Sequence, residues 1–398
     1  MADTCDILIS GGGIAGMTAA AAFGAAGFSV ICVDPAPPVT TRDDEGSDLR
    51  TTAFLQPAQG LLAECGLWGR FAPHAAPLQI MRIIDAGGVE ETPRVIRDFD
   101  AADLSDAPFG WNLPNWLLRR EIQAHLEAME TVDFRPGTGT AALFTRTGEA
   151  RVTLSDGTRL RARLVVAADG RNSPMREAAG IGIKTIRYGQ KALAFAVTHP
   201  LPHENVSTEI HRSGGPFTLV PLPDYQGSPS SAVVWMERGP RVRELAALPD
   251  PDFEAAMNAR SCGILGPLKL ASRRTVWPII SQHAEALTSE RLALMAEAAH
   301  VVPPIGAQGL NMSLRDLAAL LDLARARPEG LGDAEMLSAY ERARMPDIRL
   351  RLHGIDALNR ASMAGGQALR DLRAKALDTL YAVAPVRQTL MRTGLGTR

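Results

Sequence analysis

Short apolar runs alternate with glycine turns and amphipathic stretches along this chain, and the first such alternation is the most regular. Ile7-Leu8-Ile9 is an apolar run of strand length, Gly11 to Gly16 a turn, and Met17 to Ala26 an alanine-rich helix. A second strand, Val30 to Val33, ends on Asp34. The polar, proline-rich stretch 35–47 reads as a surface loop, after which Leu61, Leu62, Cys65 and Leu67 mark one apolar helix face. Strands are predicted over Leu78 to Ala86 and Val95 to Phe99, around Gly87-Gly88. Leu117, Ile122, Leu126 and Met129 predict a helix over 116–128. Val152 to Leu154 and Leu160 to Ala167 flank Asp156-Gly157, which predicts a hairpin with a type I′ turn.

From Tyr188 to Trp235 the pattern changes. Short β-rich runs separated by Pro, Gly and Ser predict an antiparallel sheet inserted into the first domain. A helical stretch over 251–268 and a strand over 272–280 follow. Leu292 to Met295 is a short buried strand that leads through a proline- and glycine-bearing loop into a helix over 312–326. The last hundred residues are helical, with Leu369, Leu372, Ala376, Leu377 and Leu380 in one stripe. The fold expected is α/β: a Rossmann-like domain with an inserted antiparallel-sheet substrate domain and a C-terminal helical segment. The first domain is expected to comprise 1–75, 101–180 and 285–365, the second 76–100 and 181–284, and the helices 366–398.

Composition narrows the class. The 398 residues carry a formal net charge of −2, which offers no electrostatic footing for nucleic acid. Cys5, Cys32, Cys65 and Cys262 form no CxxC pair, so a zinc ribbon and a dithiol redox centre are excluded and a reducing cytoplasm fits. Cys5 and Cys32 are expected on neighbouring strands as small buried residues. The uncharged run from Ile7 to Val33 is long enough to suggest a membrane span. Three glycines in its middle, no basic residue before it, and Asp3 and Asp6 argue against one.

The candidate chemistry begins at the first turn. Gly11, Gly13 and Gly16 have the GxGxxG spacing of a dinucleotide fold, with Ile14 and Ala15 between the last two. The first allows a tight turn, the second close approach of backbone to a pyrophosphate, the third close packing of helix on strand. The helix then aims its free N–H groups at the phosphates, and Asp34 stands where a carboxylate accepts from a ribose. Asp169 and Gly170 end another buried strand, where a carboxylate serves a ligand, a turn, or both. Arg50 reads either as a surface arginine or as a cation beside a cofactor. Gly306 to Asn311 opens a second helix N-terminus suited to an anion or dipole.

Three of these segments together resemble the single-component flavin aromatic hydroxylases related to para-hydroxybenzoate hydroxylase. They are Gly11 to Gly16, the DGxxSxxR run from Asp169 to Arg176, and the loop from Ala296 to Asn311. The resemblance implies FAD. Gly11, Gly13, Ile14, Ala15, Gly16 and Asp34 would hold its adenosine and pyrophosphate part; Arg50, Arg119, Asp169 and Gly170 would add contacts. Glu297, Pro304, Gly306, Gly309, Leu310 and Asn311 would follow its ribityl chain and ring. Tyr188 to Ala192, Gly214 to Pro221 and Pro303 to Asn311 are worded most like the ubiquinone-biosynthesis hydroxylases. That implies a polyprenylated phenol or quinol substrate, NADH or NADPH as reductant, and other enzymes of that pathway as partners.

One position departs from the family, Ala296-Glu297 in place of Gly-Asp. If a glycine is needed there for positive φ, FAD binding weakens; if Glu297 reaches from further back, nothing is lost, and this second reading is favoured. His300 is read as a structural loop residue rather than an acid–base catalyst. No catalytic side chain and no metal ligand set is expected, since the cofactor carries the chemistry. Gly180-Ile181-Gly182 meets Thr185 where a third glycine would fall, so no separate nicotinamide domain is expected. Two rivals stand: a flavin monooxygenase or reductase acting on another aromatic or isoprenoid, and a non-catalytic FAD-binding scaffold. The basic, leucine-striped helix over 368–380 is either packed on its domain or laid against a membrane at its inner face.

Overall fold

The computed structural model describes residues 3–395; the ends of the first and last expected segments lie outside that range. Its frame is a sheet of eight strands whose central order is Thr288–Ser289, Leu292–Leu294, Arg159–Ala167, Asp3–Ser10, Val30–Asp34 and Val132–Pro136. From Leu292–Leu294 to Val132–Pro136 every neighbouring pair is parallel. The second halves of Asp3–Ser10 and Arg159–Ala167, with Leu292–Leu294, are apolar and buried because the sheet is covered there on both faces. Ile7, Leu8, Ile9, Leu164 and Leu292 are all fully buried. The alanine-rich helix Ile14–Ala25 lies flat on the sheet because its side chains are small, and Ala19 to Ala22 are inaccessible.

The second sheet has nine strands and is antiparallel through most of its width. One pairing differs from the expectation: Val206–His211 runs parallel to Ile80–Asp85, which ties the early strand pair into the later sheet. One face of this sheet, with Phe195, Phe217 and Trp235, packs on helices Gly239–Ala247 and Asp250–Arg260 through Val242, Leu245 and Phe253. The second of these is shorter than the 251–268 stretch expected, and the first carries no clear signal in the sequence. A three-stranded sheet, Thr51–Leu55, Gly110–Pro114 and Ala76–Leu78, lies between the two large ones.

Two local expectations are corrected. The turn at Asp156-Gly157 is not type I′, since Gly157 has φ +87° while Asp156 is absent from the positive-φ residues. Gly157 N–H donates to the Leu154 carbonyl, so a single left-handed glycine closes the turn. The helix expected from 312 begins at Gln308, one turn earlier, directly on the glycine loop. Cys5 and Cys32 are buried on adjacent strands as expected, and burial pushes the Cys5 thiol up to about 12.

Candidate functional site

The parallel strands fix where the candidate residues meet. Arg159–Ala167, Asp3–Ser10 and Val30–Asp34 end on the same sheet edge as Leu292–Leu294. Asp169-Gly170, Gly11 to Gly16, Asp34 and Ala296-Glu297 therefore line one carboxyl edge, where ligands of open α/β sheets bind. Met295 N–H donates to Ala167 O (3.0 Å) and Ala168 N–H to Ser10 O (2.8 Å), stitching adjacent loops together.

The glycines differ in what surrounds them. A Cβ on Gly16 would overlap the Gly11 carbonyl oxygen, so only glycine lets this helix approach its strand. A Cβ on Gly13 meets no protein atom within 4 Å, and φ there is −70°. Gly13 is thus not required by the protein's own packing. Neither the helix Ile14–Ala25 nor the helix Gln308–Ala326 has a side-chain cap, which leaves both N-termini with donors to give. Asp34 is already half engaged: Gly12 N–H donates to Oδ2 (2.6 Å) and Ala36 N–H to Oδ1 (2.9 Å).

Asp169 accepts from Ser10 Oγ (3.1 Å) and Met175 N–H (3.3 Å) through Oδ2, while Oδ1 is buried without a partner. Burial raises its pKa. Its loop is held by Ser173, which caps the helix Pro174–Ala178, and by Arg176, whose guanidinium donates to the Ala298 carbonyl (3.0 Å). Arg176 thereby binds the second candidate segment to the third.

Arg50 and Arg119 converge on one acid, Asp48, two residues before Arg50. Asp48 takes a two-pronged bond from Arg50 (2.8 and 2.7 Å), accepts from Asn115 (3.0 Å), and lies 3.9 Å from Arg119. Burial pushes the Asp48 carboxyl up, but Arg50, Asn115 and the Arg119 charge outweigh it and hold it below the usual range. Burial alone would lower the Arg50 pKa; Asp48 and the nearby charge of Glu297 raise it instead. The Arg50 guanidinium stacks 3.8 Å from the ring centroid of Trp277, on the second sheet. Glu297 projects outward from an otherwise buried turn, and Arg119 Nε is buried without a partner.

The loop before the second helix is held from behind. His300 is buried with Nε2 2.6 Å from Asp316 Oδ2, Ala296 N–H donates to the same oxygen (3.2 Å), and Arg344 donates to Oδ1 (2.9 Å). Arg351 donates to Gln308, which donates to the Gly306 carbonyl. Pro304, Gly306 and Gly309 lie exposed on the front of the loop and Leu310 is half-buried. Asn311 faces inward: its amide accepts from Leu55 N–H (2.9 Å) and donates to the Ala53 and Ala307 carbonyls, docking the strand that follows Arg50. Ala296 has φ +56°, a conformation in which glycine would be unstrained, so the backbone condition of the reading not favoured is met at this position.

Residues 4–350 match the FAD binding domain family. The chain belongs to it. FAD is the cofactor of this family, and the residues present fit it: two uncapped helix ends, an orphaned carboxylate oxygen on Asp169, and open approach over Gly13. Within the family the chain is 34% identical to ubiquinone hydroxylase UbiL of Rhodospirillum rubrum, over 98% of this chain and 90% of that one. It is 28% identical to 3-demethoxyubiquinol 3-hydroxylase of Escherichia coli, over 98% of both. The structure of p-nitrophenol 4-monooxygenase PnpA from Pseudomonas putida superposes with TM-score 0.80 at 18% identity, covering 100% of this chain and 99% of that one. That likeness is one of fold. Asp48, Asn115, Asp316 and Trp277 carry no local sign of these roles in the sequence beyond the two-residue spacing of Asp48 and Arg50, since their other partners come near only in the fold.

Proposed function

We propose that the protein hydroxylates a polyprenylated phenol or quinol in ubiquinone biosynthesis, with FAD as cofactor and NADH or NADPH as reductant. The supporting observation is the shared carboxyl edge that brings the three flavin-type loops together, in a chain 34% identical to a ubiquinone hydroxylase. When bound, FAD supplies the redox chemistry, passing electrons from the nicotinamide to dioxygen and one oxygen atom to the ring. The chain's own residues bind and orient. Gly13 with Ile14, Ala15 and Gly16 presents backbone N–H groups to the pyrophosphate, and Asp34 accepts from the ribose beside it. Asp169, with Oδ1 open to a donor, and Gly170 would add a contact to bound FAD. Arg50 and Arg119 place positive charge near the ring end, with Glu297 balancing it. The loop from Pro304 through Gly306 and Gly309 to Leu310 supplies the second helix end, which Asn311 fixes in place. The facing sheet excludes water from the reacting centre. The division into FAD-binding segments (1–75, 101–180, 285–365), substrate segments (76–100, 181–284) and terminal helices is part of the same reading.

A membrane contact completes it. In the helix Gln367–Ala382 the polar side faces the protein: Arg373 pairs with Asp85 (2.7 Å), Asp371 with Arg94 and Asp378 with Arg97. Its apolar stripe faces outward, with Leu369 59% and Leu372 62% exposed beside exposed Lys375. Among the described residues no helix is long and apolar enough to cross a membrane. The outward stripe lies on an anionic lipid surface from which a polyprenylated substrate is drawn. Changing Leu369 and Leu372 to Gln should abolish co-sedimentation with anionic vesicles while leaving FAD content intact; unchanged sedimentation would remove this contact from the account.

The function itself is tested by purifying the protein with FAD and by deleting the gene in its host. A yellow preparation bleached by NADH or NADPH, and a prenylated ring intermediate lacking one hydroxyl accumulating by mass spectrometry, are the expected results. A colourless protein that FAD cannot reconstitute, or a normal ubiquinone profile in the deletion, would refute it.

A further inference from the structure

The strand Val206–His211 carries a carboxylate and an imidazole two residues apart, and neither has a part in holding the flavin. Alternation along a strand puts Glu209 and His211 on one face. The register carries that face across the sheet: Glu209 pairs with Thr218, Thr218 with Val234, Val234 with Ala194 and Ala194 with Thr275. Trp277, two residues beyond Thr275 and on the same face, lies under Arg50. The face therefore looks toward the glycine-loop half of the molecule, since the opposite face is covered by helices Gly239–Ala247 and Asp250–Arg260. Thr218, Val220 and Val234 remain half exposed on it, between small alanines, so a planar ring can lie there.

Glu209 Oε1 is 2.7 Å from His211 Nε2, with the two side chains 10% and 14% exposed. His211 Nδ1 is buried and has no partner among the described residues. Asp85, beside His211 on the adjoining strand, is committed to Arg94, Arg373 and the Gly87 N–H, and does not compete for the ring. A carboxylate on Nε2 fixes the tautomer with the proton there, leaving the Nδ1 lone pair as an acceptor that lacks a donor in the protein. A buried acceptor without a donor is costly unless a ligand supplies one.

We propose that Glu209 and His211 form the subsite for the ring hydroxyl of the substrate, which is accordingly a phenol rather than its O-alkyl ether. This rests on the hydroxylase reading above. The phenol O–H donates to Nδ1. As the ring is attacked the O–H bond breaks and an N–H bond forms on Nδ1, so the oxygen's electron pair is pushed into the ring. The imidazolium is balanced by Glu209; the C–H bond at the attacked carbon then breaks, its proton leaving to solvent as the ring is restored, and the phenol oxygen takes back the proton from Nδ1.

The test measures binding of 2-geranylphenol and of its methyl ether to the FAD-loaded enzyme by the change in flavin absorbance. Wild type should prefer the phenol by at least about tenfold, because a site built around a hydroxyl rejects the analogue lacking it. His211→Phe should bring that ratio to about one, while His211→Asn, whose Oδ1 takes the place of Nδ1, should keep part of it. Glu209→Gln keeps the hydrogen bond but not the balancing charge, so kcat should fall with KM little changed; this and His211→Asn carry the test if the phenylalanine variant does not fold. An undiminished ratio in the His211 variants, equal binding of both rings by wild type, or unaltered kcat in Glu209→Gln would overturn the subsite. Wild type that binds neither ring would overturn the hydroxylase reading and the subsite with it.

Discussion

Gly13 and Gly16 occupy the same motif and answer to different constraints. Gly16 is demanded by the fold, because any Cβ collides with the Gly11 carbonyl. Gly13 is demanded by what approaches it. Gly13→Val should leave the unfolding free energy of the FAD-free protein within about 1 kcal/mol of wild type, the cost of a poorer residue at a helix N-terminus. It should weaken FAD binding by at least about a hundredfold, read by fluorescence titration, since two methyl groups would stand where backbone must meet the pyrophosphate. Gly16→Ala should instead destabilise the FAD-free protein by about 1–3 kcal/mol through overpacking. The motif was legible in the sequence; which glycine serves the fold and which the ligand was not, because that depends on how closely the folded turn brings the Gly11 carbonyl to each of them, which spacing alone does not report. Ala296 makes the same point. Its φ of +56° costs an L-residue about 1–2 kcal/mol, partly offset by about 0.5–1 kcal/mol of chain entropy that glycine would lose. Ala296→Gly should therefore stabilise the protein by up to about 1 kcal/mol in a urea titration.

At the scale of elements, the loop between Leu292–Leu294 and Gln308–Ala326 holds its shape through charges that no local pattern announces. Asp316 is fully buried, two turns into its helix, and joins His300, the Ala296 N–H and Arg344. Removing one partner of such a cluster strands the others without solvent, so Asp316→Ala should cost about 3–5 kcal/mol in chemical denaturation. It should also loosen the loop enough to raise the FAD dissociation constant. His300 reads in the sequence as a structural loop residue, and its partner, sixteen positions on, appears there as one more helical acid. The helix Gln367–Ala382 shows the complementary limit. Its leucine stripe is plain at helical spacing, and periodicity cannot say whether a stripe turns inward or outward. Acids and arginines on the strands at 80–100 claim the polar side and turn the leucines out.

At the scale of the whole molecule, the loop before Thr51–Leu55 is joined to the second large sheet where Arg50 bridges Asp48 on one side and Trp277 on the other. The folded pKa of Asp48 lies below its unfolded value of about 3.9. Its contribution to stability is thus fully present above that value and is lost as pH falls through the folded pKa. The urea midpoint of Asp48→Asn should lie below that of wild type at pH 7, and the gap should close below about pH 4. A gap that persists in acid would show that the carboxylate charge is not what holds the joint. The amino-acid sequence by itself determined the strand–turn–helix–strand unit, the change from βαβ pattern to antiparallel strands, and the three loop motifs. All of these are written in near neighbours through side-chain periodicity and backbone freedom. Only the tertiary structure decided that the loops share one carboxyl edge, that Asp48 gathers both arginines, and which faces of sheet and terminal helix remain open. Those follow from strand order and from ion pairs between distant segments, whose partners become near only once the chain has folded.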